Sequence, residues 1–151
     1  MSMEYPGHCP LTVAARHNPS VFEILSSAKE IRDNLLKQTE KGRAIISLYA
    51  TCSPTLVKAI FFDGRFRAAV FDGLAKLKPA IAGIQATLDG EDRHYVFTAE
   101  DADTVSYLMD LTIERLPRNL AKQVRALKQE LQLSAMPGRN VKDYLTAVQL
   151  L

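Results

Sequence analysis

Residues 43–73, RAIISLYATCSPTLVKAIFFDGRFRAAVFDG, decide how the chain is built. The first part, 43–50, is short, rich in β-branched and aromatic side chains, and bounded by Gly42 and Pro54. It reads as a mostly buried strand. Residues 56–62, Asp63-Gly64, residues 65–71 and a second Asp72-Gly73 then read as two strands about a tight turn, because Asp-Gly supplies the positive φ angles a two-residue hairpin demands. A competing reading starts a helix at Ser53-Pro54, with Ser as N-cap and Pro at the first helical position. Phe61, Phe62, Phe66 and Phe71, with two Asp-Gly pairs punctuating them, favour the hairpin.

Towards the N-terminus, Ser20-Val21-Phe22-Glu23 has the form of a capping box, in which Ser takes the third helical amide and Glu reaches back. Val21, Ile24, Leu25, Ala28, Ile31 and Leu35 follow at helical spacing, and Gly42 stands where a left-handed C-terminal residue is wanted. A helix over 21–41 is expected. Arg32 falls inside its apolar arc. Either its stem lies along the core edge with its head in water, or it makes a buried ion pair at a subunit contact. Residues 1–19, with Pro6, Gly7, Pro10 and Pro19, read as a flexible arm.

Towards the C-terminus, residues 74–82 suit a short helix limited by Pro79 and Gly83, and residues 84–88 and 93–98 a second hairpin about Asp89-Gly90-Glu91-Asp92. Thr98 to Asp101 opens a helix whose acidic first turn complements the helix dipole. Val105, Leu108, Met109, Thr112, Ile113 and Leu116 line one face of it, and Pro117 breaks it. A further helix covers 117–132, Met136-Pro137-Gly138 is a turn, and Asn140 with Asp143 caps a last helix. The order predicts an α+β fold: an antiparallel sheet of about five strands in two hairpin-like units, a long N-terminal helix, and two to three C-terminal helices. The expected division is an arm at 1–19, a core domain at 20–116, and a C-terminal helical extension at 117–151 packed on the core or on a partner subunit. This element order resembles small bacterial secretion-chaperone-like folds, which dimerise and clasp a client peptide; fold alone does not fix function.

With 47% apolar and 24% charged residues in 151, the chain has the composition of an ordinary globular protein, which excludes disorder and a disulfide-stapled mini-protein. Nineteen Lys and Arg against seventeen Asp and Glu leave a net charge of only +2. The distribution is uneven, with an acidic run from Glu100 to Asp110 beside a basic one from Arg115 to Lys142. No run of eighteen consecutive apolar residues occurs, so no membrane partner is expected. Two isolated cysteines, Cys9 and Cys52, and no signal-peptide pattern point to a cytoplasmic protein.

Cys52 is the one candidate catalytic residue. A thiol at a helix N-terminus has a lowered pKa, and strand, Cys52-x-Pro54, helix resembles the active-site region of thioredoxin-like proteins. Thr55 stands where their second redox cysteine would be, and only 27 residues separate Cys52 from Pro79. The alternative is a small buried hydrophobe. His8, Cys9 and His17 lack the spacing of a zinc cage, so no metal is expected. His94 has no carboxylate or serine in a recognisable relation to it. Asp89, Glu91 and Asp92 belong at a turn for backbone reasons. Phosphate-loop and hydrolase motifs are absent, and no cofactor is expected.

The 117–132 helix is the most informative segment. Leu120, Val124, Leu127 and Leu131 form one seam at spacing 4, 3, 4. Arg118, Lys122 and Arg125 run across from it, with Arg115 just before the proline. The seam either packs on the same chain or pairs with a second copy. The cations are a solvated face, a nucleic-acid backbone site, or a site for an acidic protein partner. The resulting expectation is a non-catalytic, adaptor- or chaperone-like interaction protein acting as a dimer. A nucleic-acid-binding module is the alternative, and a thiol-dependent enzyme at Cys52 the second.

Overall fold

The structure, a computed structural model, describes residues 19–91 and 94–151 together with Pro10. The expected arm and its His8, Cys9 and His17 lie outside the described residues, as do Asp92 and Arg93 of the expected second hairpin.

The described residues form helices in succession: α1 (Pro19–Asn34), a 3-10 turn (Leu36–Gln38), α2 (Glu40–Phe62), α3 (Gly64–Lys76), α4 (Lys78–Leu88), α5 (Ala99–Arg115), α6 (Arg118–Glu130), a second 3-10 turn (Leu133–Ala135) and α7 (Val141–Ala147). The expected α+β fold is overturned: among the described residues there is no strand, only an isolated antiparallel bridge between Val96 and Asn140.

The correction turns on 43–73. Instead of a strand and a hairpin, residues 40–62 are one helix. Thr39 is its N-cap, its hydroxyl accepting from the Gly42 amide at 3.0 Å. Gly42 therefore sits in the first turn of α2, not at the end of α1. The helical period is visible in what α2 buries: Gly42, Cys52, Leu56 and Ile60, with Ile45, Leu48 and Ala59 partly covered. Small apolar and hydroxyl residues fill the opposite face, and this hides the polar side that normally marks a helix. Pro54 interrupts the ladder inside α2, and the Thr51 and Ser53 hydroxyls bond back to the Ser47 and Tyr49 carbonyls at 3.0 and 2.8 Å.

Both Asp-Gly pairs have helical roles. Asp63, at φ −123°, caps α3 by accepting from the Arg65 and Phe66 amides at 3.0 and 3.1 Å. Gly73 lies inside α3, where an added Cβ would come within 2.6 Å of the Leu108 side chain of α5. Residues 84–88, read as a strand, belong to α4, which carries Pro79 in its first turn, where the missing amide costs nothing. Ser20 lies within α1, so the expected capping box is not its start.

The C-terminal third follows expectation more closely. Thr98 and Asp101 form a capping box on α5. Pro117 separates α5 from α6. Asn140 caps α7 by accepting from the Asp143 amide at 2.8 Å. The loop before α5 is tied to the loop before α7 by Phe97 N–H to Arg139 O and Gly138 N–H to Phe97 O, both 2.9 Å.

Two apolar clusters hold the helices together. One gathers Leu35, Ala80, Phe97, Met136, Val141, Tyr144, Leu145 and Val148, joining α1, α4 and α7. The Phe97 ring meets Tyr144 edge-on at 5.3 Å between centroids. The other gathers Cys52, Leu56, Ile60, Phe66, Ile113, Leu116, Ala121 and Val124, joining the C-terminal half of α2 to α3, α5 and α6.

The entry into α2 is set by close backbone approach: a Cβ on Gly42 would overlap the Leu36 carbonyl. Gly42→Ala is expected to lower stability by about 1–3 kcal/mol through overpacking, read from urea denaturation followed by circular dichroism. Gly64→Ala, whose Cβ meets only the flexible Arg67 side chain at 3.6 Å, is expected to leave the midpoint unchanged or raise it slightly. Equal behaviour of the two variants would contradict the packing of α2 on the 36–38 turn.

Candidate functional site

The residues singled out from sequence separate into distinct places. Cys52 is 3% exposed in the second apolar cluster, within α2 rather than at a helix N-terminus. Burial pushes its thiol pKa up, opposite to what a nucleophile needs. The thioredoxin-like arrangement is therefore absent: there is no preceding strand, and Pro54 is an interior residue of the same helix. Arg32 lies at the surface with Asp33, Nε to Oδ1 3.1 Å, and makes no buried pair. His94 is exposed, and no group of three His, Cys, Asp or Glu side chains among the described residues could hold a metal.

Arg115 does not join the other cations. Its guanidinium reaches the Asp63 carboxylate at 2.6 Å and lies over the Phe66 ring at 5.0 Å from the centroid. Asp63 also caps α3, and the Phe66 amide, the Arg115 charge and the Arg65 amide together hold its carboxyl below the usual range. This knot fixes the α2–α3 corner to the end of α5.

Arg118, Lys122 and Arg125 do line up, exposed on α6 and without an ion pair among the described residues. The opposite side of α6 is committed to the chain's own interior. Ala121 and Val124 are buried, Leu120 packs against them, and Leu131 packs against the first cluster. Leu127 is half-buried. The seam is thus largely occupied within the chain, with Leu127 its half-buried member outside both clusters.

Between α5, α6 and the second 3-10 turn runs an open groove of about 690 Å³, and sequence reasoning missed it. Ser106, Asp110 and Glu114 lie on its α5 side, Arg125, Lys128 and Gln129 on its α6 side, and Ser134 on the second 3-10 turn. Lys128 crosses it to Asp110 at 2.7 Å. The spacing of Asp110 and Glu114 on one helix was a signal, but only the antiparallel return of α6 after Pro117 could bring Arg125 opposite them.

Elsewhere polar groups serve the fold. The Tyr95 hydroxyl donates to the buried Asp101 carboxylate at 2.7 Å; desolvation and that bond push its pKa up to about 12. Tyr144 donates to the Leu131 carbonyl at 2.6 Å.

No family model matches the chain, and no solved structure matches it. It is similar to the cell wall-associated protease of Bacillus subtilis (strain 168), 25% identical over 138 residues, which are 91% of this chain and 15% of that protein. The chain therefore spans a small part of the length of the curated relative it matches.

The Asp63–Arg115 contact generates a pH signature. A carboxylate whose pKa is lowered on folding stabilises the fold above its unfolded value and loses that contribution as pH falls through the folded value. Here the window lies below the reference value of 3.8. Asp63→Asn and Arg115→Ala, combined in a double-mutant thermal-melt cycle, are expected to be coupled at pH 7, with the coupling vanishing in strong acid. Additive effects at pH 7 would contradict the knot.

Proposed function

We propose that the chain is a non-catalytic helical interaction module that grips an acidic polypeptide segment along the α5–α6 groove and the outer face of α6. The observation that carries this reading is the division of α6. Its apolar side packs largely inside the molecule, while Arg118, Lys122 and Arg125 stand exposed with no ion pair among the described residues. Cations held on a rigid helix face complementary acids without ordering cost at the moment of binding. Arg125 and Gln129 project the same chemistry into the groove, where they can donate to a bound main chain or carboxylate.

A second copy of the chain is one source of such a segment, because Glu100 and Asp103 are exposed at the start of α5. That is the form in which the expected dimer is retained, with the polar stripe replacing the apolar seam as its contact. The non-catalytic reading rests on this chain's own residues: Cys52 is buried, and His94 is exposed; the relative is a protease of which the match covers 15%. The same relative favours the cell surface over the cytoplasmic setting expected from two isolated cysteines. The exposed stripe is also the observation behind the alternative, a nucleic-acid backbone; a steep salt dependence with duplex DNA is its signature. The thiol-enzyme alternative has lost its support in the burial of Cys52.

Titrating acidic and basic synthetic peptides into the labelled chain tests the reading by amide shift perturbation. The acidic peptides are expected to move the amides of α6 and the α5 side of the groove, and the triple variant Arg118→Glu/Lys122→Glu/Arg125→Glu to lose the effect with its circular dichroism unchanged. Duplex DNA binding lost in the same variant, without peptide binding, would transfer the assignment to nucleic acid. Shifts confined elsewhere, or peptide turnover, would overturn it.

A further inference from the structure

α2 is long and apolar enough to cross a membrane, yet only 17% of its apolar window is buried in the fold. The covered side packs on α3, α5 and α6 through Cys52, Leu56 and Ile60. The other side carries a run of exposed residues. Ala44, Ser47, Ala50, Thr51 and Pro54 are exposed along it, with no charged residue between Arg43 and Lys58. The stripe ends in Phe61 and Phe62, 49% and 87% exposed, their rings 6.4 Å apart. The two adjoining rings form an exposed apolar patch at the helix end.

Cations gather around this end, beside the acids Asp63 and Glu114. Lys58 lies on the stripe one turn before the two rings, and Arg65 follows Phe62 by three residues; both are exposed and unpaired among the described residues. The Asp63–Arg115 contact brings the start of α6, with exposed Arg118, to the same end of the molecule. Asp63, the acid nearest the rings in sequence, is already occupied by Arg115.

We infer that the open stripe of α2 with its Phe61–Phe62 tip is a peripheral membrane-docking surface that seats on anionic lipid. An uncharged helix face ending in aromatic rings and rimmed by lysine and arginine is the arrangement that lies in the headgroup plane, rings at the acyl boundary and cations among the phosphates. α2 does not span the bilayer, because its other side is locked into the second apolar cluster. The expectation of no membrane contact rested on the length of uninterrupted apolar runs and addresses spanning alone. This surface shares Arg118 with the basic stripe of α6 but lies apart from the α5–α6 groove, and its Phe62 tip does not depend on the peptide reading.

The chain contains no tryptophan, so Phe62→Trp provides a sole fluorescent reporter at the tip. Added to vesicles of equal parts phosphatidylglycerol and phosphatidylcholine, this variant is expected to shift its emission to the blue and be quenched by brominated acyl chains. Pure phosphatidylcholine is expected to give neither effect. In co-sedimentation of the otherwise unaltered chain, Phe62→Ser is expected to weaken binding to the anionic vesicles roughly tenfold, and Lys58→Gln about fivefold. Both positions are exposed, so circular dichroism is expected to remain unchanged. No sedimentation with anionic vesicles would overturn the inference. So would binding without a blue shift, or binding that Phe62→Ser leaves intact, since the cations alone would then be reading phosphate. Equal, Phe62-dependent binding to an acidic peptide in place of vesicles would reassign the surface to a protein partner.

Discussion

The contact between Asp63 and Arg115 organises this molecule. One carboxylate ends α2, caps α3 and receives the guanidinium that closes α5. Phe66 completes the knot from beneath, its ring under the same guanidinium. The chain turns sharply on both sides of it, at Asp63-Gly64 and at Leu116-Pro117. Two helix corners are therefore fastened to each other, not left to pack independently. The second apolar cluster draws Ile60, Ile113 and Leu116 from the same helix ends. Where the guanidinium goes also determines what the surface offers. Arg115 is withdrawn from the basic stripe, while Arg118 is delivered beside the exposed end of α2.

The other half of the molecule is held differently. Around Phe97 and Tyr144 the helices are tied by loop-to-loop backbone bonds and by tyrosine hydroxyls that reach a carboxylate and a carbonyl. These polar groups sit among aromatic rings, and each is satisfied: among the described residues no buried side-chain nitrogen or oxygen lacks a partner. The polar groups of that half serve the fold, and the surfaces proposed for recognition, the α5–α6 groove and the outer side of α2, lie elsewhere.

The C-terminal third was legible in the sequence because its signals are local. Thr98 with Asp101, Pro117, and Asn140 before Val141 each act within one turn of chain, and each has the expected effect. The opposed seam and stripe of α6 were legible too, since period and charge agreed there. The stretch from 43 to 73 was not. Between Arg43 and Lys58 its exposed residues are mostly alanine, serine, threonine and proline in place of lysine and glutamate, so burial left no charged counterpart in the pattern there. Asp63-Gly64 carried the residues of a hairpin turn but serves as a helix cap and first helical position, a distinction made by φ at Asp63 and not by composition. Asp72-Gly73 follows the same logic, with Gly73 selected by the Leu108 side chain of a helix far away in sequence. For the same reason the groove and the Arg115 knot were invisible: both depend on which helix ends meet.

The exposed stripe of α2, its aromatic tip and the Asp63–Arg115 corner all require that residues 40–62 form one continuous helix followed by a second after a single break. Backbone chemical shifts and sequential amide contacts across 40–76, measured by nuclear magnetic resonance, address that directly. The structure predicts helical shifts on both sides of Asp63 with an interruption there, and amide-to-amide contacts running through Pro54's neighbours on either side. Extended-type shifts over 43–50 and 56–62, with cross-strand contacts from 56–62 to 65–71, would contradict it.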